Sequence, residues 1–264
     1  MGEIQPIVDL VHPTAVVELG ARVDPTAEVG PYAVIGARVV IGPRCVIGPH
    51  AVIEGETVLG PENTVGPHAV LGAPPQIRGA VGEGALVLGA GNTLREHVSV
   101  HAGSSGGVTR VGDRNLLMVG SHVAHDCVVG DGVELANGVQ LAGHVEVGDH
   151  AGIGGLAAVH QLARVGRLAF VGAGAMVSQD VPPFSLASGD RARVYDINRV
   201  GLRRHGVDGA TRTLLRRALA LLLAAPTLRE GVALVREQVA HCAEVEQLLA
   251  FAATSRRGLC RRIS

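Results

Sequence analysis

The segment Ser121 to Gly130 reads Ser-His-Val-Ala-His-Asp-Cys-Val-Val-Gly and sets His122, His125 and Asp126 within five residues. An imidazole titrates near neutrality and a neighbouring carboxylate fixes its tautomer, so the segment can supply a general base together with its orienting partner. Gly143, His144, His160 and Gln161 add further polar or glycine positions downstream. A neutral imidazole that takes a proton from a hydroxyl or amine, with a glycine N–H on the developing oxyanion, describes acyl transfer by direct attack. No nucleophilic Ser or Cys elbow is evident, which argues against a covalent acyl-enzyme. Three of the histidines could instead bind zinc, although no additional fixed metal spacing accompanies them.

These residues lie on a very regular scaffold. Every sixth residue from Val11 to Leu71 is aliphatic, eleven in succession, and a second series of twelve runs from Val111 to Val177. Gly often follows the aliphatic residue and a small residue often stands two before it, as at Ala27, Ala33, Ala51, Ala157 and Ala169. This is a hexapeptide repeat, the mark of a parallel β-helix whose aliphatic residue points into the core of each three-sided coil. Three sides of six residues make a coil of eighteen, so residues eighteen apart stack at about 4.8 Å, the strand spacing. His125, Gly143 and Gln161 then share one column, Asp126 and His144 the next, and His160 stands beside them. Cys45 and Cys127 fall on small inward or corner positions and read as structural.

Between the series the phase breaks. Leu88, Leu94 and Val100 keep the step of six but fit neither neighbour, so insertions are required near residues 73–86 and 101–108. The loops hold Pro74-Pro75-Gln76-Ile77-Arg78 and His101-Ala102-Gly103-Ser104-Ser105-Gly106-Gly107, and loops on a uniform scaffold are where substrate contacts concentrate. After Val177 the pattern ends at Asp180-Val181-Pro182-Pro183, because proline cannot donate to a ladder. The expected organisation is a β-helix over residues 1–183 and a helical C-terminal domain over 184–264. Its helices are expected at Tyr195–His205, Asp208–Ala225, Thr227–Cys242 and Ala243–Thr254, with Asp208 and Thr227 as N-caps.

Composition agrees with a repetitive aliphatic core: 47% of the 264 residues are hydrophobic, only 2% aromatic, and there are 37 glycines and no tryptophan. Four dispersed cysteines without a Cys-x-x-Cys pair argue against a disulfide framework and a zinc cluster and fit a reducing cytosol. Met1 to Asp9 lacks a basic segment followed by an apolar run, and Ala218–Ala225 is too short to span a bilayer, so a soluble, cytoplasmic protein is expected. Charge is uneven: residues 1–190 hold nine Arg against eighteen Asp plus Glu, and residues 191–264 hold fourteen Arg against six. The basic tail suits an anionic partner.

The repeat, His-Val-Ala-His-Asp-Cys at 122–127, Leu-Ala-Gly-His at 141–144, Gly-Gly-Leu-Ala-Ala-Val-His-Gln at 154–161, Gln-Asp-Val-Pro-Pro at 179–183 and Asn198 to Arg204 closely resemble the acyl-carrier-protein-dependent UDP-N-acetylglucosamine O-acyltransferases of lipid A biosynthesis. The resemblance covers essentially the whole chain. It implies a left-handed β-helix, an exception to the right-handed crossover rule, assembled as a homotrimer with active sites between subunits. It implies transfer of a 3-hydroxyacyl group from a carrier-protein thioester to the sugar 3-hydroxyl. The acyl donor rides on the carrier's phosphopantetheine, with no cofactor or metal of the enzyme's own, no nucleic acid and no stable membrane insertion. By position, His125 is then the general base, Asp126 its orienter and the Gly143 N–H the oxyanion donor. His122, His144, His160, Gln161, Asn198 and Arg204 would contact substrate, as would Gln76, Arg78 and His101 from the loops, and the arginine-rich tail would meet the acidic carrier.

The chain also departs from that family's pattern. Gln76-Ile77-Arg78 stands where the family has Gln-Asp-Leu-Lys, without the Asp that contacts the sugar, and His101-Ala102-Gly103-Ser104 replaces His-Arg-Gly-Thr. Val200 and His205 replace an acidic and a basic residue, while Phe170 and Ala173 lie where the family measures acyl length. Alternatives are a related hexapeptide acyltransferase acting on an amino-sugar nucleotide and a trimeric metal enzyme resembling γ-class carbonic anhydrase.

Overall fold

A computed structural model describes residues 10–79 and 84–261. The Met1 to Asp9 segment and residues 80–83 of the first expected loop lie outside the described residues, as do 262–264. The chain divides into two compact units, Met1–Cys127 and Val128–Ser264.

The first unit is built of very short parallel strands on three sheets. One sheet runs Val16–Val17, Val34–Ile35, Val52–Ile53, Val70–Ala73, Ser99–His101 and His122–Val123. The others start from Arg22–Val23 and Glu28–Val29 and proceed by the same step. Val16 pairs with Val34 and Val34 with Val52, a register of eighteen residues set by the sequence period. The second residue of each strand points inward: Ile35, Ile53 and Leu71 are completely buried. Val17, on the terminal strand of its sheet, is 40% exposed because it has a neighbour on one side only.

The corners explain two further regularities. Pro31, Pro43, Pro49, Pro61 and Pro67 occupy the position two residues past the inward aliphatic, where their carbonyls accept a bond from the next coil while no N–H is required. The following residue takes the left-handed conformation, as at Tyr32, Arg44, His50, Glu62 and His68. The two expected insertions are real. Leu59 pairs with Leu88 and Leu88 with Val111, steps eleven and five residues longer than the coil, and Leu88, Leu94 and Val100 are buried. Across these coils runs a buried asparagine ladder. Asn63 Oδ1 accepts from the backbone and side-chain nitrogens of Asn92 at 2.9 Å, and Asn92 Oδ1 accepts from the Asn115 N–H at 2.9 Å.

The second unit continues the same grammar from Val128–Val129 to Met176–Val177, and every inward residue from Val129 to Val177 is buried. The β region is the left-handed parallel β-helix expected from the repeat, followed by helices. Here the expected organisation needs one correction. Tyr195–Ile197 is not the start of a helix but the end of a strand, Arg193–Ile197, which pairs antiparallel with Ser185–Ser188. The helix α1 covers only Arg199–Arg204, with Asn198 as its cap. α2 (Gly209–Ala224) is capped by Asp208 and α3 (Leu228–Gln238) by Thr227, whose hydroxyl accepts from the Glu230 N–H. α3 ends four residues earlier than expected because Val239 turns extended. α4 covers Ala243–Ala253. Among the described residues no helix is long and apolar enough to cross a membrane.

Asp180 ties the last strands to the tail of the chain. Its buried carboxylate accepts from the Arg164 N–H at 2.9 Å and the Ser255 hydroxyl at 2.8 Å and pairs with Arg164 Nε at 3.4 Å. The Arg164 guanidinium goes on to the Phe251 carbonyl at 2.8 Å and lies 4.1 Å from the Phe251 ring centroid. Cys45, Cys127 and Cys260 are buried thiols, and burial pushes Cys260 up to about 11.

Candidate functional site

In the first unit, His125 and Asp126 follow the strand His122–Val123, at the corner positions that proline and a left-handed residue take elsewhere. His125 Nδ1 lies 2.8 Å from Asp126 Oδ2, with side-chain exposures of 15% and 12%. An ionised carboxylate only accepts, so the proton is on Nδ1 and the basic lone pair on Nε2. Asp126 is itself held from several directions. Ser104 donates its hydroxyl to Oδ2 at 2.6 Å and its N–H to Oδ1 at 3.1 Å. The Asp126 N–H donates to the hydroxyl of buried Thr109 at 2.8 Å.

One strand away, Ser99 pairs with His122 in the sheet, and its hydroxyl is 2.8 Å from His122 Nδ1. The His101 ring meets that of His122 edge-on, with centroids 4.7 Å apart. Burial, reinforced by the neighbouring His101, pushes His122 down to about 4, and burial also lowers His101. Both rings are therefore neutral near pH 7 and serve as hydrogen-bonding groups rather than cations. His101 Nδ1 is buried without a hydrogen-bond partner among the described residues, an unmet polar atom beside the His122 ring. Gln76 and Arg78 are exposed in the first loop.

The second unit carries the remaining expected residues. Gly143 is buried at a corner; its carbonyl accepts from Leu162 at 3.1 Å, and its N–H meets no acceptor among the described residues, as at the proline positions. His144 is exposed with a left-handed backbone, and His160 and Gln161 are exposed, His160 Nδ1 lying 3.1 Å from the Gln161 carbonyl. Asn198 and Arg204 come together in a cavity of about 840 Å³ lined by Phe170, Leu186, His150 and His205 as well. The Asn198 amide is already in use: its oxygen caps α1 through the Gly201 N–H at 3.0 Å, and its nitrogen donates to the Leu168 carbonyl at 2.9 Å. Its part in the cavity wall is thus to fix α1 and the Arg204 on it.

Phe170 lines this cavity because its strand partner is Gly152, where a β-carbon would stand 2.9 Å from the Phe170 ring. Ala173 is an exposed turn residue and does not belong to the lining. The sequence reading missed His150. Its ring rests on Gly132 and faces His205 at 4.6 Å between centroids, and burial, then the His205 charge, lowers its pKa. It also missed Ser104 as a partner of Asp126. A corner histidine looks the same in sequence whether it faces solvent or a cavity, and a loop serine carries no sign of its target. Outside the cavity, Arg199, Arg203, Arg212 and Arg216 line a groove of about 370 Å³, with Arg199 paired to Asp196.

Residues 180–260 match the family described as Udp N-acetylglucosamine O-acyltransferase, Domain 2, and residues 20–55, 40–73 and 109–143 match the bacterial transferase hexapeptide repeats. The acyl-[acyl-carrier-protein]–UDP-N-acetylglucosamine O-acyltransferase of Myxococcus xanthus is 48% identical over 255 residues, 95% of this chain and 99% of the relative. The protein of the same name from Halorhodospira halophila is 45% identical over 262 residues, again 95% and 99%. Among solved structures, the UDP-N-acetylglucosamine O-acyltransferase of Moraxella catarrhalis superposes with a TM-score of 0.90 at 35% identity, covering 96% of this chain and 100% of that one.

Proposed function

From its membership of the acyl-[acyl-carrier-protein]–UDP-N-acetylglucosamine O-acyltransferase family, which makes the chain an acyltransferase, we propose that it moves a 3-hydroxyacyl group from a carrier-protein thioester to the 3-hydroxyl of UDP-N-acetylglucosamine, the opening acylation of lipid A synthesis. The observation that carries the mechanism is the His125–Asp126 pair at 2.8 Å. With Nδ1–H directed to the carboxylate, Nε2 takes the proton of the acceptor hydroxyl as its oxygen attacks the thioester carbonyl. The carbonyl becomes a tetrahedral oxyanion, for which the Gly143 N–H is the assigned donor. Collapse expels the pantetheine thiolate, and the imidazolium returns the proton to sulfur. Atoms and charge balance without a cofactor.

His101 and His122, neutral and adjoining the dyad in the first unit, suit hydroxyl or amide groups better than phosphates. His144, His160 and Gln161 complete the substrate contacts in this reading. The cavity with Arg204, His205 and Phe170 joins cationic and apolar walls, which suits a nucleotide diphosphate beside an acyl chain. Gln76 and Arg78 are assigned to the sugar nucleotide, and acyl length to Phe170 in the cavity together with Ala173 on the exposed turn after its strand, outside the cavity lining. The arginines of α1 and α2 would receive the acidic carrier protein. We assign residues 1–183 to the coil-forming part and 184–264 to the carrier-facing helical part, working as a homotrimer in the cytoplasm.

The test is transfer of radiolabelled hydroxyacyl groups from carrier protein to UDP-N-acetylglucosamine by native protein and by His125→Ala. Loss of a positioned base should lower kcat by about 100-fold or more, with the circular dichroism spectrum unchanged. Full turnover by His125→Ala refutes the mechanism.

A further inference from the structure

The second inserted loop was expected to touch substrate, yet its serine points inward at the dyad. Ser104 gives Asp126 a hydroxyl bond of 2.6 Å on Oδ2 and N–H contacts of 3.1 and 3.2 Å on Oδ1 and Oδ2. Oδ2 is the same oxygen that His125 Nδ1 reaches at 2.8 Å. A carboxylate bonded only to the imidazole keeps its own side-chain torsions to explore. Donors from the loop fix the plane of the carboxylate and the direction of its lone pairs, and thereby the ring on the far side.

Two further observations show that this loop is fitted to the carboxylate. The Gly107 N–H closes a turn on the Ser104 carbonyl at 2.6 Å, and a β-carbon on Gly107 would collide with Asp126 Oδ1. Thr109, two residues on and wholly buried, takes the Asp126 N–H at 2.8 Å. The five residues by which this coil exceeds the repeat thus bring a hydroxyl, a glycine and a threonine onto one aspartate.

We propose that Ser104 is a positioning residue of the acyl transfer, clamping the Asp126 carboxylate so that His125 stays in the Nδ1–H tautomer with Nε2 as the base. This rests on the dyad reading above. The length of the second loop is then a catalytic requirement in addition to a lining of the site.

Full-length Ser104→Ala, Ser104→Thr, Gly107→Ala and His125→Ala are compared by steady-state transfer kinetics and by nitrogen-15 NMR of the histidine rings. Ser104→Ala should lower kcat on the order of 10-fold, the scale on which outer partners of a functional histidine act, with KM for both substrates unchanged. Its His125 signals should move from the Nδ1–H tautomer toward a mixture. Ser104→Thr restores the hydroxyl and should restore kcat and tautomer. Gly107→Ala, which displaces the carboxylate by a different route, should reproduce the Ser104→Ala pattern. The proposal is overturned by native kcat and tautomer in Ser104→Ala, or by a Ser104→Thr protein as impaired as Ser104→Ala, the sign of a purely structural loop. Full turnover of His125→Ala would instead remove the dyad mechanism, while the tautomer spectrum would still report whether Ser104 orients the ring.

Discussion

Replacing Asp180 by Ala should loosen the second unit by an amount that can be worked from its bonds. The carboxylate is 1% exposed and receives the Arg164 N–H, the Ser255 hydroxyl and Arg164 Nε. Removing one partner of a buried pair costs about 3–5 kcal/mol when the other charge is left stranded. Arg164 is not fully stranded, because its side chain is 20% exposed and its guanidinium still reaches the Phe251 carbonyl, the Thr254 hydroxyl and the Phe251 ring. The lower end, about 3 kcal/mol, is therefore expected. For a chain of this size that corresponds to a fall in Tm of roughly 6–10 °C. Asp180→Asn keeps one acceptor oxygen and should cost about half as much. Differential scanning calorimetry gives the shift, and hydrogen exchange localises it. The Asp180 and Cys260 amides, which bond the Gly258 and Asp180 carbonyls at 2.9 and 2.8 Å, should lose protection first. A Tm within about 2 °C of native with those amides still protected would refute the reasoning.

Two other outcomes follow from groups already described. Gly152→Ala places a methyl group 2.9 Å from the Phe170 ring and turns the ring into the cavity, so turnover with the longest accepted acyl chain should fall about tenfold relative to a shorter one, the scale of one methylene in a pocket; an unchanged chain-length profile would exclude Phe170 from the acyl path. His122, whose folded pKa is pushed down to about 4, contributes stability that is complete above its ordinary value of 6.5 and is lost as pH falls toward 4. The native Tm should therefore decline across that interval, and His122→Gln should flatten the decline; identical pH profiles for the two proteins would show that other groups govern acid sensitivity.

The core was legible because a coil of fixed size leaves no latitude at its inward position: Ile35, Ile53 and Leu71 stack directly on one another, and a polar residue there would be buried without a partner. The insertions were legible for the same reason, since a phase change in so strict a pattern has no other cause. Tyr195–Ile197 was misread because its extended conformation is imposed by pairing with Ser185–Ser188 and the local sequence runs on without a break into a helix. The Gln179-Asp180 signature was visible as a string, but the purpose of Asp180 depends on Arg164 and Ser255, sixteen residues before it and seventy-five after. The dyad was readable because its members are adjacent; the clamp on it was not, since Ser104 is twenty-two residues from Asp126.

The asparagine ladder through Asn63, Asn92 and Asn115 has a consequence for how such a molecule can vary. It joins the coils on either side of both register breaks, so the amides hold the stacking of that face whatever length of chain leaves the other corners. The excursion at the first break can be lengthened, shortened or exchanged with its stability cost confined to closure entropy, which grows by only about 0.6 kcal/mol per doubling of loop length, whereas the second must keep Ser104, Gly107 and Thr109 on Asp126. A designer wishing to graft a new recognition segment onto this backbone would keep the three asparagines and open the chain at the first break.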